Sequence, residues 1–315
     1  MPTIETTAGP IEDSELGRTL GHEHLLSSSE ATRAQFPHLY DRELEHQLAL
    51  DAVRAAMAHG VKTIVDPCVQ DLGRDIHYMA QVAEETGIQL VAATGIYLEH
   101  YTFLPHFFQN RDEDVLVGAF VHDLEQGIQG TDIKAAFLKC AADALGITPD
   151  VEKLHRAVAK ASLQTGASIM AHSAPKEGTG LEQMKLFTGE GVDPAKVQIA
   201  HTGDTDDLDY IEKLLATGAT IGMDRYGLDM FLPQDQRDAT VIELVKRGYA
   251  ERMVLSHDYC AFIDWYPIEM APVLAPKWSM TLIFEEVLPT LHAAGVTEEQ
   301  TDLMLGETTR RWLTA

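Results

Sequence analysis

The sequence predicts an α/β protein folded as a single (β/α)8 TIM barrel, and three observations predict it. Eight short apolar or β-branched runs alternate with segments of helical periodicity. Glycines stand where the helical segments stop and the next apolar run begins, as αβ junctions require. No Gly-x-Gly-x-x-Gly follows an early run, which weighs against an open doubly wound sheet. The 315 residues suit one barrel, and no linker-like stretch divides them, so residues 1–315 read as one domain.

The eight runs are Thr19–Leu25, Val61–Val65, Gln89–Thr94, Ala135–Lys139, Ser168–Ala171, Val197–Ala200, Thr220–Met223 and Met253–Leu255. Each has the length of a strand buried on both faces. Between the first two, Glu43 to His59 carries Leu44, Leu48, Val53 and Met57 on one side and stops at Gly60. Asp150 to Thr165 carries Val151, Leu154, Val158 and Leu163 and stops at Gly166. Asp207 to Thr217 stops at Gly218, and Ala239 to Arg247 at Gly248. The last stretch, Ser279 to Arg311, has a helical pattern and is expected against the outside or base of the barrel.

Composition narrows the partners. Asp and Glu number 49 against 24 Lys and Arg, a net charge of −25, which repels phosphate backbones and anionic headgroups. Neither nucleic acid nor a membrane is therefore an expected partner. No apolar run is long enough for a membrane span, and Met1 to Glu5 lacks the marks of an export signal. The three cysteines, Cys68, Cys140 and Cys260, cannot build a disulfide framework. A cytoplasmic protein is expected.

Active sites of parallel barrels lie where the C-terminal ends of the strands converge. His22 and His24 share one face of the first strand, because alternate residues point the same way. Lys139 ends the fourth run, His172 and His201 follow the fifth and sixth, and Asp258 follows the eighth. Any one of these histidines alone reads better as a hydrogen-bonded core residue, and Asp258 alone as a helix cap. Together they form a nitrogen and oxygen donor set suited to Zn, Co, Mn or Fe. Burying so many ionisable groups without a cation would cost several kcal/mol. His38, His46, His59, His77, His100, His106, His122, His155 and His292 lie in helical or loop contexts and read as structural. Lys139 stands out: an ammonium facing a metal is repelled, so this lysine must be neutral, modified or turned away.

Motifs along the whole chain carry a resemblance. They are Gly21-His22-Glu23-His24, the run from Val61 to Pro67, Leu72-Gly73-Arg74-Asp75, Thr94-Gly95-Ile96-Tyr97 and Gly127 to Thr131. Then come Phe137-Leu138-Lys139 with Ala141-Ala142-Asp143, Gly203-Asp204-Thr205-Asp206, Gly222 to Asp229, and Leu255 to Cys260. In these the chain resembles the phosphotriesterase-like lactonases of the amidohydrolase superfamily. The resemblance implies a binuclear centre, with one divalent ion held by His22, His24 and Asp258 and a more exposed one by His172 and His201. Lys139 would be carbamylated by CO2 and bridge the two. A hydroxide shared by the ions would be the nucleophile, and Asp258 would shuttle its proton. Tyr97 would orient the substrate carbonyl or the hydroxide, and Arg225 would shape the pocket. The substrates implied are lactones, including N-acyl-homoserine lactones, with promiscuous phosphotriester hydrolysis, and the assembly implied is a homodimer.

The stretch from Tyr259 to Trp278 is dense in aromatic, aliphatic and proline residues. On a barrel rim it would line a channel for an acyl tail, pack at a subunit interface, or both; the resemblance places Trp265 there, and Cys260 is expected in the pocket. The chain departs from the family pattern at Thr202, at Cys68 and in the loop from Ser173 to Glu177, none of them a predicted ligand. Three other readings compete. A primary aryldialkylphosphatase would use the same ligands. A Schiff-base aldolase would use Lys139 and leave the histidines idle. A non-catalytic barrel would bind a metal or ligand without turnover.

Overall fold

The computed structural model describes residues 2–98 and 103–315, so His100 lies outside the described residues. A short antiparallel pair, β1 (Thr3–Ile4) with β2 (Ile11–Glu12), precedes the barrel. The parallel strands then follow in chain order: β3 (Thr19–Leu20), β4 (Glu23–Ser27), β5 (Thr63–Asp66), β6 (Gln89–Gly95) and β7 (Phe137–Ala142). The remainder are β8 (Ser168–Ser173), β9 (Val197–Ala200), β10 (Thr220–Met223), β11 (Met253–Leu255) and β12 (Tyr259–Ile263). Eight of them form one sheet in the order β11-β10-β9-β8-β7-β6-β5-β3, and the separate parallel pair β12-β4 joins its two edges.

This closure corrects the expected strands in two places. The first run does not form one strand: it breaks at Gly21 and His22, with β3 pairing to β5 and β4 pairing to β12. The apolar stretch that begins at Tyr259 does not start as a loop, because its first five residues are β12. Only a glycine fits at the break, since a Cβ on residue 21 would lie 2.4 Å from Val254 Cγ1. Where ladder pairing lapses, other bonds span the gap. Asp66 accepts from the Leu25 N–H at 3.0 Å, and the Asp258 N–H reaches the His22 carbonyl at 3.0 Å.

Helices follow the strands around the outside. Arg42–Ala58 is capped by the Asp41 side chain, Ile76–Thr86 by Asp75, Pro149–Thr165 by Thr148 and Leu208–Ala216 by Asp207. The expected helices thus appear within a few residues of their predicted bounds, and Gly166 closes its helix at φ 81°. The apolar residues divide into two clusters. One lies between sheet and helices; the other fills the barrel and contains Val65, Val91, Phe137, Met170 and Ala200. No described helix is long and apolar enough to cross a membrane.

The C-terminal segment packs at the base. Its last helix, Thr308–Leu313, drives Trp312 into the barrel, where the ring stands 5.3 Å from that of Phe137 and only 1% of the residue is exposed. The indole N–H donates to the Lys196 carbonyl at 3.0 Å. Trp312→Ala would remove the plug and its donor together. Equilibrium urea unfolding is expected to show a loss of about 3–5 kcal/mol; a loss below about 1 kcal/mol would mean that the base does not depend on the ring.

Candidate metal centre

His22, His24, Tyr97, Lys139, His172, His201, Arg225, Asp258, Cys260 and Trp265 all line one cavity of about 220 Å3 at the C-terminal end of the barrel. Eight strands, β4 and β6 to β12, carry these groups on or beside their ends, and the charged ones sit at its floor. Asp258 is the hub. Its Oδ1 lies 3.2 Å from His22 Nε2 and 3.1 Å from His24 Nε2, and its Oδ2 accepts from Arg225 Nε at 2.9 Å. His201 Nε2 stands 3.9 Å from the same Oδ2. Imidazole rings follow one another around the mouth, with centroids 4.9 Å apart for His22 and His201 and 4.6 Å for His172 and His201. Lys139 Nζ reaches to 3.5 Å from His22 Nε2. Close approach of β6 lets it do so: a Cβ on Gly95 would lie 1.9 Å from the Lys139 carbonyl oxygen.

The backbone is bent to present two of these residues. His201 has φ 64° and Asp258 φ 52°, both in the left-handed region that non-glycine residues rarely occupy. Such conformations persist where the surroundings over-determine them. The His201 N–H donates to Asp224 Oδ1 at 2.7 Å, and the Asp258 N–H is held by His22.

A layer of carboxylates behind the cluster aims the imidazoles. Asp224 receives His22 Nδ1 at 2.9 Å on one oxygen and His201 Nδ1 at 3.1 Å on the other, so both rings turn their Nε2 lone pairs toward Asp258. Glu23, on the opposite face of β4 from the two histidines, receives Ser256 Oγ, the His257 N–H, His257 Nδ1 and the Tyr259 N–H at 2.7–3.0 Å. Ser256 Oγ in turn accepts the His22 N–H at 3.0 Å. Asp204 joins Arg225 and the fully buried Arg237 by bonds of 2.9 and 3.1 Å. The roles of Glu23, Asp224, His257 and Asp204 were absent from the sequence-based assignment. Asp224 gave a signal, because it ends the seventh apolar run as the other candidates end theirs. Glu23 gave none, since its partners come from the far end of the chain.

Electrostatics fit a cation. Burial pushes the His172 imidazole down to about 4 and His201 well below its usual value, so both present neutral lone pairs. Burial and the Lys139 cation oppose charge on His22, yet Asp258 in front and Asp224 behind outweigh them and raise its pKa. That field draws positive charge to the same spot. Burial also works to raise Asp258, but His22, His201 and Arg225 hold its carboxyl well below the usual range. Lys139 is pushed by burial down to about 8, against the pull of Asp258 and Asp224. Two neighbouring clusters are internally satisfied. Asp224 is occupied by the rear nitrogens of His22 and His201. In the group of His24, Asp66 and Cys68, Asp66 accepts the Leu25 and Cys68 N–H groups while Cys68 Sγ bonds the Leu26 carbonyl.

The remaining residues frame the cluster. The Tyr97 hydroxyl lies 3.3 Å from His172 Nδ1. Asp258, read in isolation as a helix cap, caps none: β12 follows it. Of the histidines set aside as structural, His155 is fully buried between the Val151 carbonyl and Gln183 Nε2.

Comparison with known proteins agrees with this arrangement. The phosphotriesterase family pattern matches residues 2–313. An aryldialkylphosphatase of Saccharolobus solfataricus is 53% identical over 291 residues, 92% of each chain. A phosphotriesterase homology protein of Mycobacterium tuberculosis is 40% identical over 319 residues, covering 99% of this chain and 97% of the other. The solved structure of the phosphotriesterase from M. tuberculosis superposes with a TM-score of 0.95 at 40% identity, over 99% of this chain and 98% of that one. On the full-length match, the shared barrel and the donor set at its mouth, the chain belongs to the phosphotriesterase family of metal-dependent hydrolases.

Proposed function

We propose that the protein is a lactonase that opens lactone rings, N-acyl-homoserine lactones among them, and hydrolyses organophosphate triesters as a weaker activity. One observation carries this reading. The ionisable floor lies under apolar walls built by Leu72, Leu228, Phe231, Ile263, Trp265 and Leu274. An acyl tail against such walls gains about 0.8 kcal/mol for each buried methylene. The aryldialkylphosphatase relative favours a second reading, in which triesters are the main substrates of the same site.

In this reading His22, His24 and Asp258 hold one divalent ion, of Zn, Co, Fe or Mn, and His172 and His201 a second. Lys139 would serve as a carbamate, formed when its neutral amine adds to CO2 and releases a proton, and its lowered pKa favours that neutral amine. When bound, such ions supply a water acidic enough to attack near neutral pH and a Lewis acid for the electrophilic oxygen of the substrate. Asp258 would be the group that takes up a proton in hydrolysis, and Arg225 Nε at 2.9 Å aims its carboxylate. The Tyr97 hydroxyl, beside His172, donates to the substrate oxygen as charge develops on it. Loop eight would also contribute to a homodimer: Ile268, Val273 and Leu274 expose apolar surface next to Trp265.

Three outcomes are expected. Chelation should abolish hydrolysis of a long-chain lactone and reloading with zinc or cobalt restore it; turnover that survives metal removal would refute the reading. Asp258→Asn should lower kcat/KM by about 10²–10⁴, the range for loss of a general base, while rates within tenfold of the unmodified enzyme would remove Asp258 from that role. Intact mass under native conditions should show an adduct of about 44 Da, one CO2, that disappears in Lys139→Ala. Ranking kcat/KM for lactones against triesters separates the two substrate readings.

A further inference from the structure

We propose that Gln183, oriented by His155, is a positioning residue that aims His172 and so governs how tightly the second of the two ions is held. The inference rests on His172 being a ligand of that ion, as in the proposed function. Among the described residues, His172 has the longest ring contacts of the four imidazoles on the floor. His22 and His201 give their rear nitrogens to Asp224 at 2.9 and 3.1 Å, and His24 Nδ1 stands 2.9 Å from Cys68 Sγ. The His172 ring has the Tyr97 hydroxyl 3.3 Å from Nδ1 and an Asp143 oxygen 4.0 Å from Nε2. Where ring contacts are long, the backbone sets the direction of the ring.

That backbone is held from outside the sheet. β9 ends at Ala200, opposite His172, and His201 turns to give its N–H to Asp224. The His172 carbonyl accepts Gln183 Nε2 at 2.9 Å, from the helix Thr179–Gly189 that packs on β8. The same amide nitrogen lies 3.0 Å from His155 Nε2, on the helix Pro149–Thr165. His155 Nδ1 donates to the Val151 carbonyl at 2.8 Å, so its Nε2 presents a lone pair. Both hydrogens of the Gln183 amide are therefore committed, one to the ring and one to the strand. The His155 ring is itself fixed by stacking on Phe187, with centroids 5.4 Å apart.

Packing alone does not call for this pair. Gln183 and His155 are wholly buried beside an apolar cluster that contains Leu154, Val158, Met184 and Phe187. Gln183 Oε1 has no hydrogen-bond partner among the described residues. An amide with an orphaned oxygen is costlier in such a layer than an apolar side chain of the same length. What the amide adds is a directed bond to the peptide that carries His172. Ligand placement matters to a metal at the level of about 0.5 Å.

Chelator titration of the zinc-loaded, full-length enzyme, with bound zinc read by elemental analysis, tests the proposal. The ion held by His172 and His201 has fewer protein ligands than its neighbour, so it is the first to leave. Gln183→Met keeps length and bulk and removes both donors. In it the affinity for that ion is expected to fall about 10- to 100-fold, the scale for loss of an outer-shell partner. Affinity for the other ion should stay within about threefold, because His22, His24 and Asp258 keep their own partners. His155→Leu leaves Gln183 in place without its orienting acceptor, and should weaken the first ion about 3- to 10-fold, the scale of one hydrogen bond. Equal weakening of both ions would overturn the proposal, since general loosening of the helices singles out neither, and so would no change in either variant. If Gln183→Met fails to fold, His155→Leu decides. If the parent holds only one zinc, the binuclear reading fails, and crystal structures of the parent and His155→Leu then decide the positioning role. A His172 ring displaced from Tyr97 would support it, and an unmoved ring would overturn it.

Discussion

Glu23 is the group on which the geometry of the metal centre depends. A (β/α)8 barrel must join its first strand to its last, and here both strands break at the junction, β3 from β4 and β11 from β12. The breaks expose N–H groups of His257 and Tyr259 that no ladder can satisfy, and the Glu23 carboxylate accepts them. It also fixes Ser256, which holds the His22 N–H, and His257, whose other ring nitrogen accepts the Ile283 N–H. A fully buried carboxylate is costly unless its lone pairs are filled, and four donors fill them here. The same seam carries His22, His24 and Asp258. The group that closes the barrel therefore also sets three of the six candidate ligands.

Charge is distributed in layers around that seam. In front lie the imidazoles and Asp258; behind lie Asp224 and Asp66; farther out, Asp204 ties Arg225 to Arg237. Asp224 fixes which nitrogen of His22 and of His201 faces the cavity, the outer-shell role that tunes metal sites. Removing one member of such a network leaves its partner buried and unpaired, so these residues act as a unit.

The rim follows a different rule. Its walls are apolar and its fastenings few, because a cavity that takes varied apolar groups needs surface more than directed hydrogen bonds. The strands of the floor are paired along their length, whereas beyond β12 loop eight is joined to its neighbours by a few side-chain bonds, those of Asp264 and of the Trp278 indole among them. The floor thus rests on directed bonds between buried groups and the wall on apolar surface.

Much of this was legible in the sequence. The eight apolar runs, their glycine-ended helices and the donors at the run ends locate the barrel and its mouth, because strand burial and αβ junctions are local properties of composition and turn chemistry. His22 and His24 share a face by strand periodicity alone. The split of the first strand was not legible, because it follows from its two halves pairing with different partners, β3 with β5 and β4 with β12, far along the chain. Nor was the role of Glu23, which points away from its neighbouring histidines and finds its partners between β11 and β12 and at the start of β12. The sequence by itself determined the alternation of elements and the types of donor available, since both follow from residue chemistry and short-range periodicity. Only the tertiary structure decided which donors meet, which nitrogen each ring presents and what fastens the rim, because those depend on contacts between residues hundreds of positions apart.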